Sequence, residues 1–234
     1  MWRIEETPLG RIAVPPIRPP SRALFCTSLD YDGAIRDALT DLVRERFGID
    51  TTLTTCVQVH GVALARADRA DGWRECDSCD ALWSDQRAVS IGIKVADCLP
   101  VTMIDPANSI IANVHSGWRG AAQAITAKTI DALERSSSFD PAAAHAYLGP
   151  SIRVCCFEVG EEVAAQFEPQ FVDRTHAKPH VDLPAMTAAL LRARGFADER
   201  ISDSGLCTRC EGSIFHSYRR DGKGGGRNLS IVAQ

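Results

Sequence analysis

The sequence holds no run approaching the roughly 18 consecutive apolar residues of a membrane span. Nor does Met1 to Pro20 contain an apolar stretch of signal-peptide type. Both absences point away from a membrane-embedded or exported chain, and the cytoplasm is the expected location. A basic excess is missing as well: 26 Lys and Arg stand against 30 Asp and Glu, a formal net charge of −4. Binding to a phosphate backbone favours the opposite balance, which excludes nucleic acid as the main partner. There is no internal repeat and no low-complexity segment. Three catalytic signatures are absent too. No Gly-x-x-x-x-Gly-Lys-[Ser/Thr] phosphate loop exists, and Gly222-Lys-Gly-Gly-Gly226 reads only as a flexible turn. The Gly-x-Ser-x-Gly nucleophile elbow is missing. So are the His-x-Glu and Pro-Cys-x-x-Cys of the zinc nucleobase deaminases.

What is present is an ordinary globular balance of 45% hydrophobic and 24% charged residues over 234 positions. That length buries an ample core, and residues 1–234 read as a single domain. Nine cysteines is a high and odd count for a chain with no secretory feature, so a disulfide framework is not expected. In a reducing compartment such cysteines are metal ligands, nucleophiles or buried small hydrophobes.

Hydrophobic spacing predicts a helix over Asp32 to Phe47, ended by Gly48. Alternation predicts strands over Leu53 to Val59 and Val89 to Val95. Two more short strands, Val101 to Ile104 and Ser109 to Val114, flank a turn at Asp105-Pro-Ala-Asn108. Gly117-Trp-Arg-Gly120 opens a helix running to about Arg135. Asp182 caps a further helix, with Pro184 in its first turn and Gly195 at its end. The last forty residues read as short strands and turns. Strands and helices without strict βαβ alternation predict a mixed α/β or α+β domain in layers.

His60, Cys98 and His115 each fall where an apolar strand pattern stops, and strand ends on one sheet edge can converge on a cleft. Two imidazoles and a thiolate are natural zinc ligands, and three of them leave one tetrahedral position open for water or substrate. A packed or hydrogen-bonded residue is the competing reading at each position, and spacing alone leaves both open. Two Cys-x-x-Cys pairs, Cys76-Asp-Ser-Cys79 and Cys207-Thr-Arg-Cys210, could together form a four-cysteine zinc site, or be loop cysteines without a shared role. Arg119 follows His115 at a helix start, where backbone N–H groups and a guanidinium favour an anion. Arg219, Arg220 and Arg227 cluster near Tyr218 in a Gly-rich tail, either as a solvated basic loop or as part of a phosphate or carboxylate site.

Several motifs then occur in order: Gln58-Val-His-Gly61, Asp80-Ala-Leu82, Ala96-Asp-Cys-Leu-Pro-Val101, Val114-His-Ser-Gly-Trp-Arg-Gly120, Leu148-Gly-Pro-Ser-Ile152, Phe157-Glu-Val-Gly160 and Phe215-His-Ser-Tyr-Arg-Arg-Asp-Gly222. Together they resemble the laccase-domain family, also called the polyphenol oxidase or peptidoglycan editing factor family, over roughly Leu53 to Arg227. The resemblance implies an α/β/β/α layered sandwich with mixed sheets and one zinc on His60, Cys98 and His115. It further implies phosphate-dependent cleavage of adenosine, inosine or methylthioadenosine, with adenosine deamination as a second reaction. Phosphate is then a co-substrate, with Arg119, Arg220 and Arg227 as candidates to place it. Cys98, His115 and Asp97 are the catalytic candidates, Asp97 either as a group that orients a ligand or moves a proton or equally as a turn residue. Copper is the less favoured metal, because a laccase needs several coppers and many histidines and the chain has six. A cysteine hydrolase or deamidase, with Cys98 as nucleophile and His115 as base, is the alternative. The partners expected are small molecules, and a monomer is expected. Where family members carry a Ser-Leu-Asn-Leu-Gly-like segment this chain has Ser28-Leu-Asp-Tyr-Asp32, so a substrate contact from that segment is not carried over.

Overall fold

The computed structural model describes residues 1–7, 10–16, 22–29, 41–42, 44–46, 48, 52–69 and 73–234. Fifteen strands lie among them, the central ones built on alternating or continuous apolar runs. These are β1 (Arg3–Thr7), β2 (Gly10–Val14), β3 (Arg22–Leu29), β4 (Thr52–Cys56), β5 (Leu64–Arg66), β6 (Arg74–Cys76), β7 (Ala81–Ser84) and β8 (Val89–Val95). They continue with β9 (Leu99–Asp105), β10 (Ile110–Ser116), β11 (His145–Leu148), β12 (Val172–Asp173), β13 (His180–Val181), β14 (Ile201–Asp203) and β15 (Arg227–Ala233). One sheet has the order β1-β2-β3-β15-β8-β4-β6, and a second has the order β14-β11-β9-β10-β7-β5. Both are mixed. In the first, β15 is antiparallel to β3 and β8 while β4 is parallel to β8 and β6. In the second, β9 is antiparallel to β10 and β11, with parallel pairs at β5–β7 and β11–β14.

The two sheets pack face to face. Period-two alternation turns Val89, Ile91, Ile93 and Val95 of β8 toward Leu82, Ile104, Ile111 and Tyr147 of the second sheet, all buried. The opposite face of the second sheet, with Trp83, Val101, Met103, Ala112 and Val114, is covered by helix Ile125–Ser136 and by Leu191 of helix Leu183–Ala193. Each large aliphatic side chain so buried contributes about 1.5–3 kcal/mol relative to exposure. The far face of the first sheet buries Leu53, Leu229 and Ile231. The helix expected over Asp32 to Phe47 lies mostly outside the described residues, of which 41–42 and 44–46 are helical and Leu42 is buried. Layered mixed α/β architecture is thus what the structure has.

Several local expectations hold. The Asp182 carboxylate accepts from Ala185 N–H at 2.9 Å and caps helix Leu183–Ala193, beyond which Gly195 adopts φ +92°. Others need correction. The strand expected over Leu53 to Val59 stops at Cys56, and Val57 and Val59 are exposed. Beyond Cys56 the Gln58 side chain takes over the pairing, giving Nε2–H to Lys94 C=O at 2.7 Å and accepting Lys94 N–H at 2.8 Å. The single helix expected from Gly117 to Arg135 is two, Trp118–Ala122 and Ile125–Ser136, broken where Ala124 turns left-handed at φ +60°. The C-terminal region ends in a seven-residue strand inside the first sheet, β15, rather than in short pieces alone.

Candidate metal centre and substrate cavity

Strand register brings the site together. In the β10–β7 pair Val114 faces Ala81, so the next step places His115 beside Asp80. In the β10–β9 pair His115 faces Pro100 and Ser116 faces Leu99, which sets Cys98 diagonal to His115 and next to Gly117. His60 arrives from the loop after β4. One ligand atom from each of His60, Cys98 and His115 lies within 4.8 Å of the others. The two imidazoles meet edge to face with centroids 4.8 Å apart. His115 is buried, Cys98 half-buried and His60 exposed.

Asp80 is the anchor that residue-type reasoning passed over. It is fully buried at the start of β7. Its carboxylate accepts backbone N–H groups from Val59 at 3.2 Å, His60 at 2.9 Å and Gly61 at 2.7 Å. It also lies 2.8 Å from His115 Nδ1, while its carbonyl accepts His115 N–H at 2.7 Å. One carboxylate therefore fixes two of the three donors: the ring of His115 and the backbone that carries His60, which sits at φ +60°. Nδ1 of His115 is committed to Asp80, leaving Nε2 for the cavity. The sequence signal was the Asp80-Ala-Leu82 motif, an acid immediately before a fully apolar strand start.

Electrostatics follow from these contacts. Burial opposes ionisation of the Cys98 thiol, but hydrogen bonds from His115 and His60 and their charges overrule it and bring its pKa down to about 6. Burial likewise opposes protonation of His115. The Asp80 hydrogen bond, followed by Cys98, outweighs that and lifts its pKa to about 9. For Asp80 the burial penalty is overcome by the His115 and Gly61 hydrogen bonds, which hold its carboxyl below the usual range. A thiolate flanked by two imidazoles, one backed by a carboxylate, is a donor set shaped for a cation.

Asp97 does not project freely. Its Oδ1 accepts from Thr208 Oγ1 at 2.6 Å, its Oδ2 from Arg219 N–H at 2.6 Å, and its carbonyl from Ile152 N–H at 2.9 Å. At φ +83° it ties three loops together immediately before Cys98. Gly117 matters for the same sulfur. A Cβ there would stand 3.0 Å from Cys98 Sγ and 3.2 Å from His60 Cδ2. Gly117→Ala is expected to displace both donors and to lower the affinity for any metal they hold by about tenfold or more, with little effect on melting temperature. Metal titration against a chromophoric chelator measures it.

His60, Cys98 and His115 line a cavity of about 810 Å³. Trp118, Phe157 and Tyr218 supply aromatic walls, and Arg119, Arg219 and Arg227 supply guanidinium groups. Arg119 lies over the Trp118 ring at 4.3 Å, and Arg227 Nη1 donates to Gly225 and Gly226 carbonyls at 2.9 Å. Arg220 is placed elsewhere. It is not among the cavity-lining residues, and its guanidinium is tied to Thr208 C=O, Phe215 C=O and the Asp221 carboxylate. Its neighbour Arg219 reaches the cavity instead, donating to Glu158 C=O at 2.9 Å. The geometry therefore exchanges Arg220 for Arg219 among the anion candidates.

The two Cys-x-x-Cys pairs do not meet. Cys76 and Cys79 pack with Cys56 between the sheets, where the Cys79 hydrogen bond and burial push the Cys56 thiol well up. Cys207 and Cys210 lie instead against Cys155 and Cys156.

Comparison with known proteins gives four findings. A family model described as "Multi-copper polyphenol oxidoreductase laccase" matches residues 26–234. The chain is 31% identical over 180 residues to the purine nucleoside phosphorylase YlmD of Bacillus subtilis (strain 168), covering 72% of this chain and 65% of that one. It is 35% identical over 164 residues to the adenosine deaminase RL5 of an unknown prokaryotic organism, covering 67% and 62%. The matched region thus spans slightly under two thirds of either relative. Among solved structures, the hypothetical protein YfiH of Bacillus licheniformis superposes with a TM-score of 0.80 at 25% identity, over 91% of this chain and 92% of that chain.

Proposed function

The chain belongs to the multi-copper polyphenol oxidoreductase laccase family, and from that premise we propose that it is a zinc-dependent purine nucleoside phosphorylase, folded as one domain, with adenosine deamination as a second reaction of the same site. The observation that carries the reading is a two-histidine, one-cysteine cluster lining a cavity with room for a nucleoside and an anion, which three arginines also line. The names of the relatives supply the substrate class.

The donor set fits zinc: borderline-soft, tetrahedral, three protein ligands with one position open. His60, Cys98 and His115 would hold the ion. When bound, it supplies a Lewis acid beside the substrate. The protein's own residues do the rest. Asp80 fixes the His115 tautomer, and the Asp97 latch sets the position of Cys98. Trp118, Phe157 and Tyr218 offer faces for a flat purine and exclude water from it. Arg119 and Arg227 offer forked donors to phosphate, which approaches the ribose anomeric carbon. Copper-dependent phenol oxidation is disfavoured by the residues themselves. Among the described residues, the two groups able to hold a metal contain two histidines in all, far from the histidine-rich set of several coppers.

Inosine with inorganic phosphate is expected to yield hypoxanthine and ribose 1-phosphate. Adenosine without phosphate is expected to release ammonia. Protein with zinc confirmed present that releases no free base from any purine nucleoside plus phosphate would overturn the reading. Arg119→Ala is expected to raise KM for phosphate by about tenfold or more, the scale of one charge-assisted bidentate contact. KM for the nucleoside should change by less than about threefold if the contact is to phosphate alone. Steady-state kinetics with each substrate varied in turn separates the two.

The proximity of Cys98 and His115 favours a second reading, since a thiol beside an imidazole that lowers its pKa is also the pair of a cysteine hydrolase. His60 speaks against it, because a dyad has no use for a second imidazole on the sulfur. Activity that survives exhaustive chelation would favour the dyad.

A further inference from the structure

Away from the cavity donors, four cysteines converge: Cys155 and Cys156 from the turn after Ile152, and Cys207 and Cys210 from the turn after Leu206. All four sulfurs lie within 4.8 Å of one another. Three of the sulfur–sulfur contacts are close to one value: Cys155–Cys156 at 3.7 Å, Cys155–Cys210 at 3.8 Å and Cys156–Cys210 at 3.4 Å. A tetrahedron of sulfurs about 2.3 Å from a central ion has edges of about 3.8 Å. The sulfurs are far outside disulfide length, about 2.05 Å. We propose that Cys155, Cys156, Cys207 and Cys210 form a second, closed metal site that takes one tetrahedral thiophilic divalent ion, zinc before others.

The surroundings fit such a site. The two turns are held in register independently of the sulfurs by an isolated bridge between Ser151 and Cys207, with Thr208 N–H donating to Ser151 C=O at 3.0 Å. Cys207-Thr-Arg-Cys210 is a tight turn closed by Glu211 N–H on Cys207 C=O at 2.9 Å, the local form of a zinc knuckle. The Arg209 guanidinium donates to Cys156 Sγ at 3.5 Å, offsetting charge that four thiolates around a divalent ion leave behind. Each thiol that ligates gives its proton to solvent, and no electron is transferred. With all four positions filled by protein the site has no vacancy for substrate, so its role is to hold structure. It holds a wall of the cavity: Ile152 and Phe157 flank the first pair and line the cavity, and Thr208, inside the second pair, bonds Asp97.

The test uses the full chain, purified under reducing conditions without added metal, with metal counted by elemental analysis and native mass spectrometry. The Cys155→Ser and Cys210→Ser variants change exposed side chains. Each is expected to lose one zinc per chain that Cys98→Ala retains, and to melt at a lower temperature. Cobalt titrated into Cys98→Ala stripped of zinc by a chelator under reducing conditions is expected to give the intense visible spectrum of tetrahedral tetrathiolate cobalt, a readout that does not depend on either serine variant folding. Unchanged zinc in both serine variants, or a cobalt spectrum lacking thiolate bands, would overturn the proposal. So would a disulfide among these four cysteines in protein isolated and alkylated under those conditions. Because the readouts are metal content and spectrum, they stand whether or not the protein acts on nucleosides.

Discussion

Cys98→Ala is expected to remove one metal equivalent and to reduce phosphorolysis by at least a hundredfold, while the chain stays folded. The size follows from position. Changes in groups that only support a ligand cost about 10–100-fold in metal affinity or activity, and Cys98 supplies a ligand atom itself. It is also the one anionic donor of the trio, so its loss leaves two imidazoles, one of them exposed. Folding is expected to be spared because the Asp97 latch beside Cys98 does not depend on the thiol. Far-ultraviolet circular dichroism and melting temperature, read beside kcat/KM, separate this from a structural role, in which the variant would unfold.

Asp80→Asn is the second large effect, and it acts at a distance from substrate. The carboxylate accepts the backbone N–H groups of Val59, His60 and Gly61 and pairs with the buried His115 Nδ1. An amide offers one oxygen and turns two N–H groups toward donors, leaving buried polar groups unsatisfied at about 1–3 kcal/mol each. Stability is therefore expected to fall by about that amount, read by denaturant titration. The metal effect is separate. Without the carboxylate, His115 loses the partner that fixes its tautomer, and the loop carrying His60 loses its anchor. Metal affinity is expected to fall about 10–100-fold. Asp80→Glu, which restores the charge, is expected to recover part of the metal affinity only if its longer side chain still reaches His115 Nδ1.

Legibility in the sequence divided along physical lines. Period-two alternation in Val89–Val95 and the turn chemistry at Asp105 are local, and both β8 and the β9–β10 turn lie where the pattern placed them. The donor trio was nameable from residue type and strand-end position. What joined it was register between β7, β9 and β10, a non-local property that a linear pattern does not carry. The overlong strand at Val57–Val59 shows the opposite failure. Apolar alternation continued, but the Gln58 amide and the Asp80 carboxylate captured the backbone groups that a strand would have paired. Arg219 and Arg220 are adjacent and chemically alike, and only the orientation of helix Tyr218–Asp221 decides which reaches the cavity. For the cysteines, the familiar Cys-x-x-Cys spacing drew attention to Cys76 and Cys79, whereas the partners of Cys207 and Cys210 are a vicinal pair with no recognised ligand spacing.

The most direct measurement of the central claim is zinc per chain together with hypoxanthine release from inosine and phosphate, in wild type and Cys98→Ala purified side by side without added metal. The predicted result is a difference of one zinc per chain and loss of hypoxanthine release with it. Equal zinc in the two proteins, or base release that persists in Cys98→Ala, would contradict a catalytic metal on His60, Cys98 and His115.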